Sequence, residues 1–387
     1  MYLSSRLDFI KFNLKRGKGH LLQYIIDRIR WNLYPRIRHV SSFPTHVDLE
    51  LSSACNLNCP MCYTTTDEFK KNVNRMLMEE KLFKKIIDEC SSHKSHFSIR
   101  LSWRGESFMH PKIFELIKYA KDNGIKEVST LTHGGFLDPE KFEKLIDLGL
   151  DWLTISFDGV GEEYEKIRAP LKYEDAVNKI KKYHEIKQRR NSVKPIIKIQ
   201  GIWPSVQKNT DEFFKVFSPI TDQVITSPLL DFLRLDTNRE YIEDFTCPVL
   251  YQRLSVGSDG RVLLCFNDEM GSMTMGDANK EKIEDIWKGK KLQKASAYEG
   301  FANKELYEYT KRFFRLAKSL APKYYLPLIK KIEIMIKKKR SLSDEMLTLA
   351  KRKGWVDKKG KISYKHAKEF GCYYSEKFEK DLIETKQ

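Results

Sequence analysis

The sequence predicts an α/β fold built on a parallel sheet, followed by a small α+β extension and flanked by basic helical segments. Three observations carry this. Between about residues 46 and 230, short alternating or β-branched apolar runs take turns with amphipathic stretches of helical period, the pattern of repeated β/α units. Further on, two apolar runs flank Gly257-Ser258-Asp259-Gly260, a hairpin signature. The formal net charge of +17 is confined to two flanks: residues 1–45 hold nine Lys/Arg against two Asp/Glu, and residues 302–352 hold fourteen against five. The remainder of the chain is close to neutral.

The elements follow in order. A first strand is expected over 47–51 and a first helix over 79–91, with Leu82, Phe83, Ile86 and Ile87 on one face. The second strand is expected over 97–103, and the second helix over 111–122, opening on Pro111 where a missing N–H is tolerated. Strands over 127–132 and 152–157 are separated by a helix over 139–148, and helices near 161–168 and 173–188 lead to strands at 196–202 and 223–227. That makes six β/α units. The chain divides into a basic amphipathic segment (1–45), a core (46–235), an extension (240–300) and a basic helical region (301–387). No run of 18 apolar residues suits a membrane span, and the N-terminus lacks the features of a secretory signal. Seven cysteines, three of them crowded on one loop, do not form a disulfide framework; a cytoplasmic location is expected.

The crowded loop reads Cys55-Asn56-Leu57-Asn58-Cys59-Pro60-Met61-Cys62 and directly follows the first strand. A tetrahedral zinc site or a fully ligated cluster needs a fourth protein ligand nearby, and this loop offers none. A zinc loop with a distant ligand stays open on spacing alone. The C-x3-C-x2-C string resembles that of the radical S-adenosylmethionine (SAM) superfamily, and the surrounding chain is similar along much of its length. The resemblance implies a partial (β/α)6 TIM-like barrel, a [4Fe–4S] cluster on Cys55, Cys59 and Cys62, and SAM chelated by the open iron and split to a 5′-deoxyadenosyl radical. It also implies a low-potential electron donor such as flavodoxin or ferredoxin.

Other strand ends extend the resemblance. Arg104-Gly105-Glu106-Ser107 stands where the family carries Gly-Gly-Glu-Pro, which implies that Gly105 and Glu106 engage the SAM amino group. Arg104 departs from that pattern and could bring charge to the SAM carboxylate or the substrate. Thr130-Leu131-Thr132-His133-Gly134 has His133 in place of the family's asparagine; a catalytic acid–base role is expected for it from a position at the barrel mouth. Thr154-Ile155-Ser156-Phe157-Asp158-Gly159 is close to the family's SxDG turn, which implies Ser156 near SAM, with Asp158 shaping the turn. Arg168, in Ile167-Arg168-Ala169, falls where relatives often carry an arginine in an IRG-like string, and its guanidinium fork suits a carboxylate partner.

In the extension, the spacing from Cys247 through Gly260 to Cys265 resembles the opening of SPASM or twitch domains, which bind auxiliary iron–sulfur clusters. No later C-x2-C follows, and Cys372 is the remaining downstream cysteine. Two readings stay open: one auxiliary cluster on Cys247, Cys265 and Cys372, or a degenerate extension without one. Cys90 is expected to be a buried apolar-like residue.

The function expected is oxidation or rearrangement of a substrate by a SAM-derived radical, the substrate being a carbohydrate or other anionic small molecule. The alternatives are a peptide- or protein-modifying maturase, and a non-enzymatic, metal-stabilised scaffold whose basic arms meet RNA or a membrane. In those arms apolar residues such as Leu14, Leu21, Ile25 and, later, Phe313 and Ile332 interleave with cations ending in Lys337-Lys338-Lys339-Arg340. This composition suits a solvated basic face, peripheral contact with an anionic membrane, or a nucleic acid; lacking any recognised nucleic-acid motif, the last ranks lowest.

Overall fold

The computed structural model describes residues 6–94, 96–229 and 247–293. Cys372 and the basic region 301–387 lie outside them.

The sheet has nine strands in the order β6-β5-β4-β3-β2-β1-β7-β8-β9. The first six, β1 (His46–Leu49), β2 (Ser98–Arg100), β3 (Glu127–Thr132), β4 (Trp152–Ser156), β5 (Ile196–Ile202) and β6 (Gln223–Ser227), run parallel in sequence order. Sequential parallel pairing follows when each crossover is a helix packed on the same outer face. No strand closes the sheet among the described residues, so the six units form a partial barrel. The helices are α1 (Arg6–Gly17), α2 (Leu21–Arg36), α3 (Asp67–Asn72), α4 (Glu80–Ser92), α5 (Ile113–Asp122), α6 (Pro139–Asp147), α7 (Glu162–Ile167), α8 (Tyr173–Arg189), α9 (Trp203–Val206), α10 (Thr210–Phe217), α11 (Val249–Gln252) and α12 (Ile283–Trp287).

Local sequence explains the boundaries. Helix α6 starts where the Asp138 carboxylate accepts the Lys141 N–H at 2.8 Å and Pro139 takes the first turn. Helix α5 begins at Ile113, two residues after the expected proline, because Pro111 lies in the turn that leads out of the second strand's loop. Strand β2 is shorter than expected: past Arg100 the chain bends toward the loop that carries Gly105. Strand alternation sorts the residues. Val47, Leu49, Ile99, Val128, Leu153, Ile155, Ile197 and Ile199 are buried, while the alternate positions are mostly polar: His46, Asp48, Ser98, Glu127, Ser129 and Thr154 are buried too, and Arg100, Trp152, Ser156, Lys198 and Gln200 are partly accessible.

Helix α1 and the first turn of α2 lie against the N-terminal ends of the strands. Arg16 makes a two-pronged ion pair with Glu127, the first residue of β3, and Lys15 and Lys187 both reach Asp222 before β6. Phe12 packs edge-on to Trp152 at the start of β4, and His20 and Tyr24 meet Phe97 ahead of β2. Two of the N-terminal cations are therefore spent on acids of the barrel itself. No helix among the described residues is long and apolar enough to cross a membrane.

The hairpin at Gly257–Gly260 forms as the turn chemistry requires, between β7 (Arg253–Val256) and β8 (Arg261–Leu263), with β9 (Thr274–Asp277) beyond. Strand β7 pairs in parallel with β1, so this part of the extension continues the barrel's sheet. The Glu89 carboxylate on α4 accepts the Ile283 N–H at 2.6 Å and caps α12. Chain contacts divide the molecule into two compact units, one of residues 1–30, 41–237 and 253–289, the other of 31–40, 238–252 and 290–387. In the second, the Gln252 amide donates to the Trp31 carbonyl at 2.5 Å.

Candidate active site

The C-terminal ends of β1 to β5 gather most of the residues singled out from sequence. The cysteine loop leaves β1 with Cys59 buried and Cys55 and Cys62 half-buried. The Leu57 N–H donates to Cys55 Sγ at 3.4 Å, and Thr64 Oγ1 lies 3.0 Å from Cys62 Sγ. Burial pushes the Cys55 thiol up to about 11, opposed by that Leu57 amide. Among the described residues, no three His, Cys, Asp or Glu side chains converge tightly enough for a single metal ion. A zinc ion needs such convergence, whereas an iron–sulfur cluster takes each thiolate on a different iron. Three thiols on one loop are soft donors of the kind an iron–sulfur cluster takes.

The Gly105-Glu106 segment lies against this loop. The Glu106 N–H donates to the Ala54 carbonyl at 2.8 Å. Gly105 has φ +60°, and a Cβ there would lie 2.4 Å from the Ser52 carbonyl oxygen and 2.5 Å from that of Ala54. The buried Glu106 carboxylate accepts from Thr132 Oγ1 at 2.7 Å, from the His133 N–H at 2.9 Å and from the Phe108 N–H at 3.1 Å. Glu106 thus joins the ends of β2 and β3 beneath the cysteine loop.

His133 is buried, and both its ring nitrogens are engaged. Nδ1 accepts the Gly135 N–H at 2.9 Å, which leaves Nε2 to donate to Asn56 Oδ1, also at 2.9 Å. Burial moves its pKa below the ordinary histidine value; Arg168 and Lys179 act the same way, against Glu106. The ring as it stands has no open nitrogen for the acid–base role expected of it; instead it ties β3 to the cysteine loop.

Ser156 ends β4 level with Gln200 on β5 and is partly accessible. Two residues on, buried Asp158 accepts the Ile202 N–H at 2.7 Å and holds Arg168, whose Nε lies 2.8 Å from Asp158 Oδ2. Arg168 and Cys59 are close enough to perturb each other electrostatically. Phe157 secures this corner by stacking on Tyr164 of α7 at 4.1 Å and packing on Phe217 of α10 at 4.5 Å. Arg104 goes elsewhere than expected: it pairs with Glu50 at the end of β1 and donates to the Glu269 carbonyl at 2.8 Å, so it serves structure and not a ligand. Leu229, after β6, is exposed.

Cys265 follows β8 and is buried, with the Asn267 N–H donating to its sulfur at 3.3 Å. Cys247, also buried, precedes α11 in the second compact unit. Cys90 is buried on α4 beside Ile86 and Ile87. Sequence reasoning missed Asn56 and Thr132. Both are polar residues next to recognised motif positions, and that adjacency is the signal that could have flagged them.

Residues 49–201 match the model of the radical SAM superfamily, and residues 247–312 match that of an iron–sulfur cluster-binding domain, SPASM. The chain carries a radical SAM domain followed by a SPASM domain. The first implies the four-iron cluster and SAM, and the second an auxiliary cluster. Among curated proteins this radical SAM chain is 30% identical over 157 residues to Fe-coproporphyrin III synthase of Methanosarcina barkeri, covering 40% of the chain and 33% of that protein. It is 28% identical over 143 residues to a tungsten-containing aldehyde ferredoxin oxidoreductase cofactor-modifying protein of Pyrococcus furiosus, covering 33% and 39%. The matches thus span between a third and two-fifths of these relatives. In fold it resembles SuiB of Streptococcus suis, solved with its precursor peptide SuiA, with a TM-score of 0.51 at 13% identity over 66% of this chain and 67% of that one.

Proposed function

We propose that this radical SAM enzyme is an oxidoreductase acting on a small molecule held inside the partial barrel. The observation that supports it is the cysteine loop bonded onto Gly105-Glu106 at the strand ends, directly above a polar, partly accessible interior. Cys55, Cys59 and Cys62 would hold the cluster. When bound, the cluster and SAM supply a 5′-deoxyadenosyl radical able to abstract hydrogen from carbon. The chain's own residues do the rest. Glu106 presents a carboxylate to the SAM ammonium while remaining bonded to β3, and Ser156 lies at the level where the nucleoside would rest. Arg168, steadied by Asp158, offers its guanidinium to a carboxylate. His133 positions the cysteine loop through Asn56. The polar interior keeps a substrate in one orientation, and orientation is what a hydrogen abstraction needs most from the protein.

The test is 5′-deoxyadenosine formation by anaerobically reconstituted, dithionite-reduced protein. Activity in the wild type and its loss in Cys59→Ala are expected; activity unchanged in Cys59→Ala overturns the assignment, and iron without SAM cleavage would leave a metal-stabilised scaffold. About four irons per chain would mean the catalytic cluster alone, and about eight an auxiliary cluster as well. A peptide is the alternative substrate class, and a screen for consumed substrate includes peptides because the fold neighbour SuiB was solved with one.

A further inference from the structure

The interior of the partial barrel holds cations that its acids do not balance. Along β5 the alternate residues Lys198 and Gln200 are partly accessible, while Ile197 and Ile199 are buried; along β4 the accessible pair is Trp152 and Ser156. Lys198 pairs across the ladder with Thr154 and Gln223. Its Nζ lies 4.8 Å from the centre of the Trp152 ring, whose centre is also 4.4 Å from the Arg16 guanidinium carbon. No carboxylate and no hydrogen-bond acceptor meets Lys198 among the described residues. The charged groups that act on it are Arg100 from β2 and Arg16 from α1, both cations; burial and these two lower its pKa to about 7.

Arg100 is little better supplied. Its Nε is 2.9 Å from Asp48, but that carboxylate also faces His46 at 3.1 Å and Arg253 at 3.4 Å. The Arg100 side chain keeps 32% of its surface exposed. Packing alone does not account for this arrangement, because a largely buried lysine with two cationic neighbours and no acid is destabilising. Apolar residues at these positions would make a better core. Two residues along β5 from Lys198, roughly 7 Å up the strand, Gln200 stands level with Ser156 and the strand ends that carry the SAM site.

We propose that Lys198 and Arg100 bind the anionic group, a carboxylate or a phosphate, of a small substrate, with Trp152 as the floor of the site. The inference rests on the proposed function, since it places the substrate's anchored end below the radical source and its reacting carbon toward Ser156. Neutralising the lysine's surroundings with an anion would restore its charge, so binding and proton uptake are coupled.

The experiment is calorimetric titration of the iron-loaded protein, without SAM or reductant, using inorganic phosphate in one arm and succinate in the other. Binding of one of them is expected, and the arm that binds identifies the anion. Lys198→Met and Arg100→Met should each weaken it by at least about 10-fold, the scale of one lost charge-assisted hydrogen bond, while Lys118→Met on exposed α5 should not. In wild-type protein, the bound anion should also shield Lys198 from amine acetylation read by mass spectrometry, a readout that needs no folded variant. No binding in either arm, equal binding by the Lys198 and Arg100 variants, or acetylation of Lys198 indifferent to the anion overturns the proposal. Because SAM cleavage is not part of the measurement, failure here leaves 5′-deoxyadenosine formation standing, and the reverse holds as well.

Discussion

Gly105 shows how little room the site leaves. Its positive φ and the two carbonyl oxygens within 2.5 Å of a hypothetical Cβ leave no side chain an acceptable place. Gly105→Ala should force the second strand's loop away from the cysteine loop, and iron content after reconstitution should fall well below that of the wild type. Full iron loading in this variant would show that the contact does not shape the site. Lys198 makes a residue-scale prediction about pH. A lysine whose pKa drops on folding binds fewer protons in the native state than in the unfolded state between about 7 and its ordinary range near 10. Its contribution to stability therefore rises with pH across that window and is least favourable below it. Lys198→Met removes the burden, so its thermal midpoint should exceed the wild type's by more at pH 6 than at pH 10. An equal shift at both values would mean that Lys198 stays charged in the fold.

At the scale of elements, α1 is held to the barrel floor by Arg16, whose side chain is 11% exposed against a Glu127 side chain at 4%. Removing one member of such a pair strands the other charge, typically at ~3 kcal/mol or more, and here the stacking on Trp152 is lost too. Arg16→Met should lower urea stability by about that amount and raise hydrogen exchange across α1 and the first turns of α2 ahead of the sheet. Exchange unchanged in α1 would mean that Phe12 and the other apolar contacts carry the docking alone. Two cations of this basic amphipathic helix, Lys15 and Arg16, thus have acids of the barrel, Asp222 and Glu127, as partners.

Over the whole molecule, the buried Glu50–Arg104 pair joins the end of β1, the loop after β2 and the segment past β8. Glu50 also accepts from the Ser258 N–H at 2.9 Å and Ser258 Oγ at 3.0 Å, and the Trp103 indole donates to the Phe266 carbonyl at 2.7 Å. With side-chain exposures of 1% and 0%, the pair is fully removed from water. Arg104→Met should destabilise by ~3–5 kcal/mol through the stranded Glu50 charge, and Glu50→Gln added to it should recover part of the loss in urea unfolding. If the double variant is no more stable than the single one, the cross-link works through geometry and not charge.

The sequence by itself determined the six β/α units, the cysteine loop and the strand-end motifs, because strand and helix periods and the C-x3-C-x2-C spacing are local properties of the chain. Boundaries at 127–132, 196–202 and 223–227 fall where periodicity put them. What the tertiary structure alone decided is which partner each polar group takes. Arg104 meets Glu50 across 54 residues, His133 meets Asn56 across 77, and Arg16 meets Glu127 across 111. The pairing of β7 with β1, which makes barrel and hairpin one sheet, is equally non-local. Lys198 reads in the sequence as one more cation in a basic chain. Only the parallel register sets it over Trp152 and within electrostatic reach of Arg100, with no acid meeting it among the described residues.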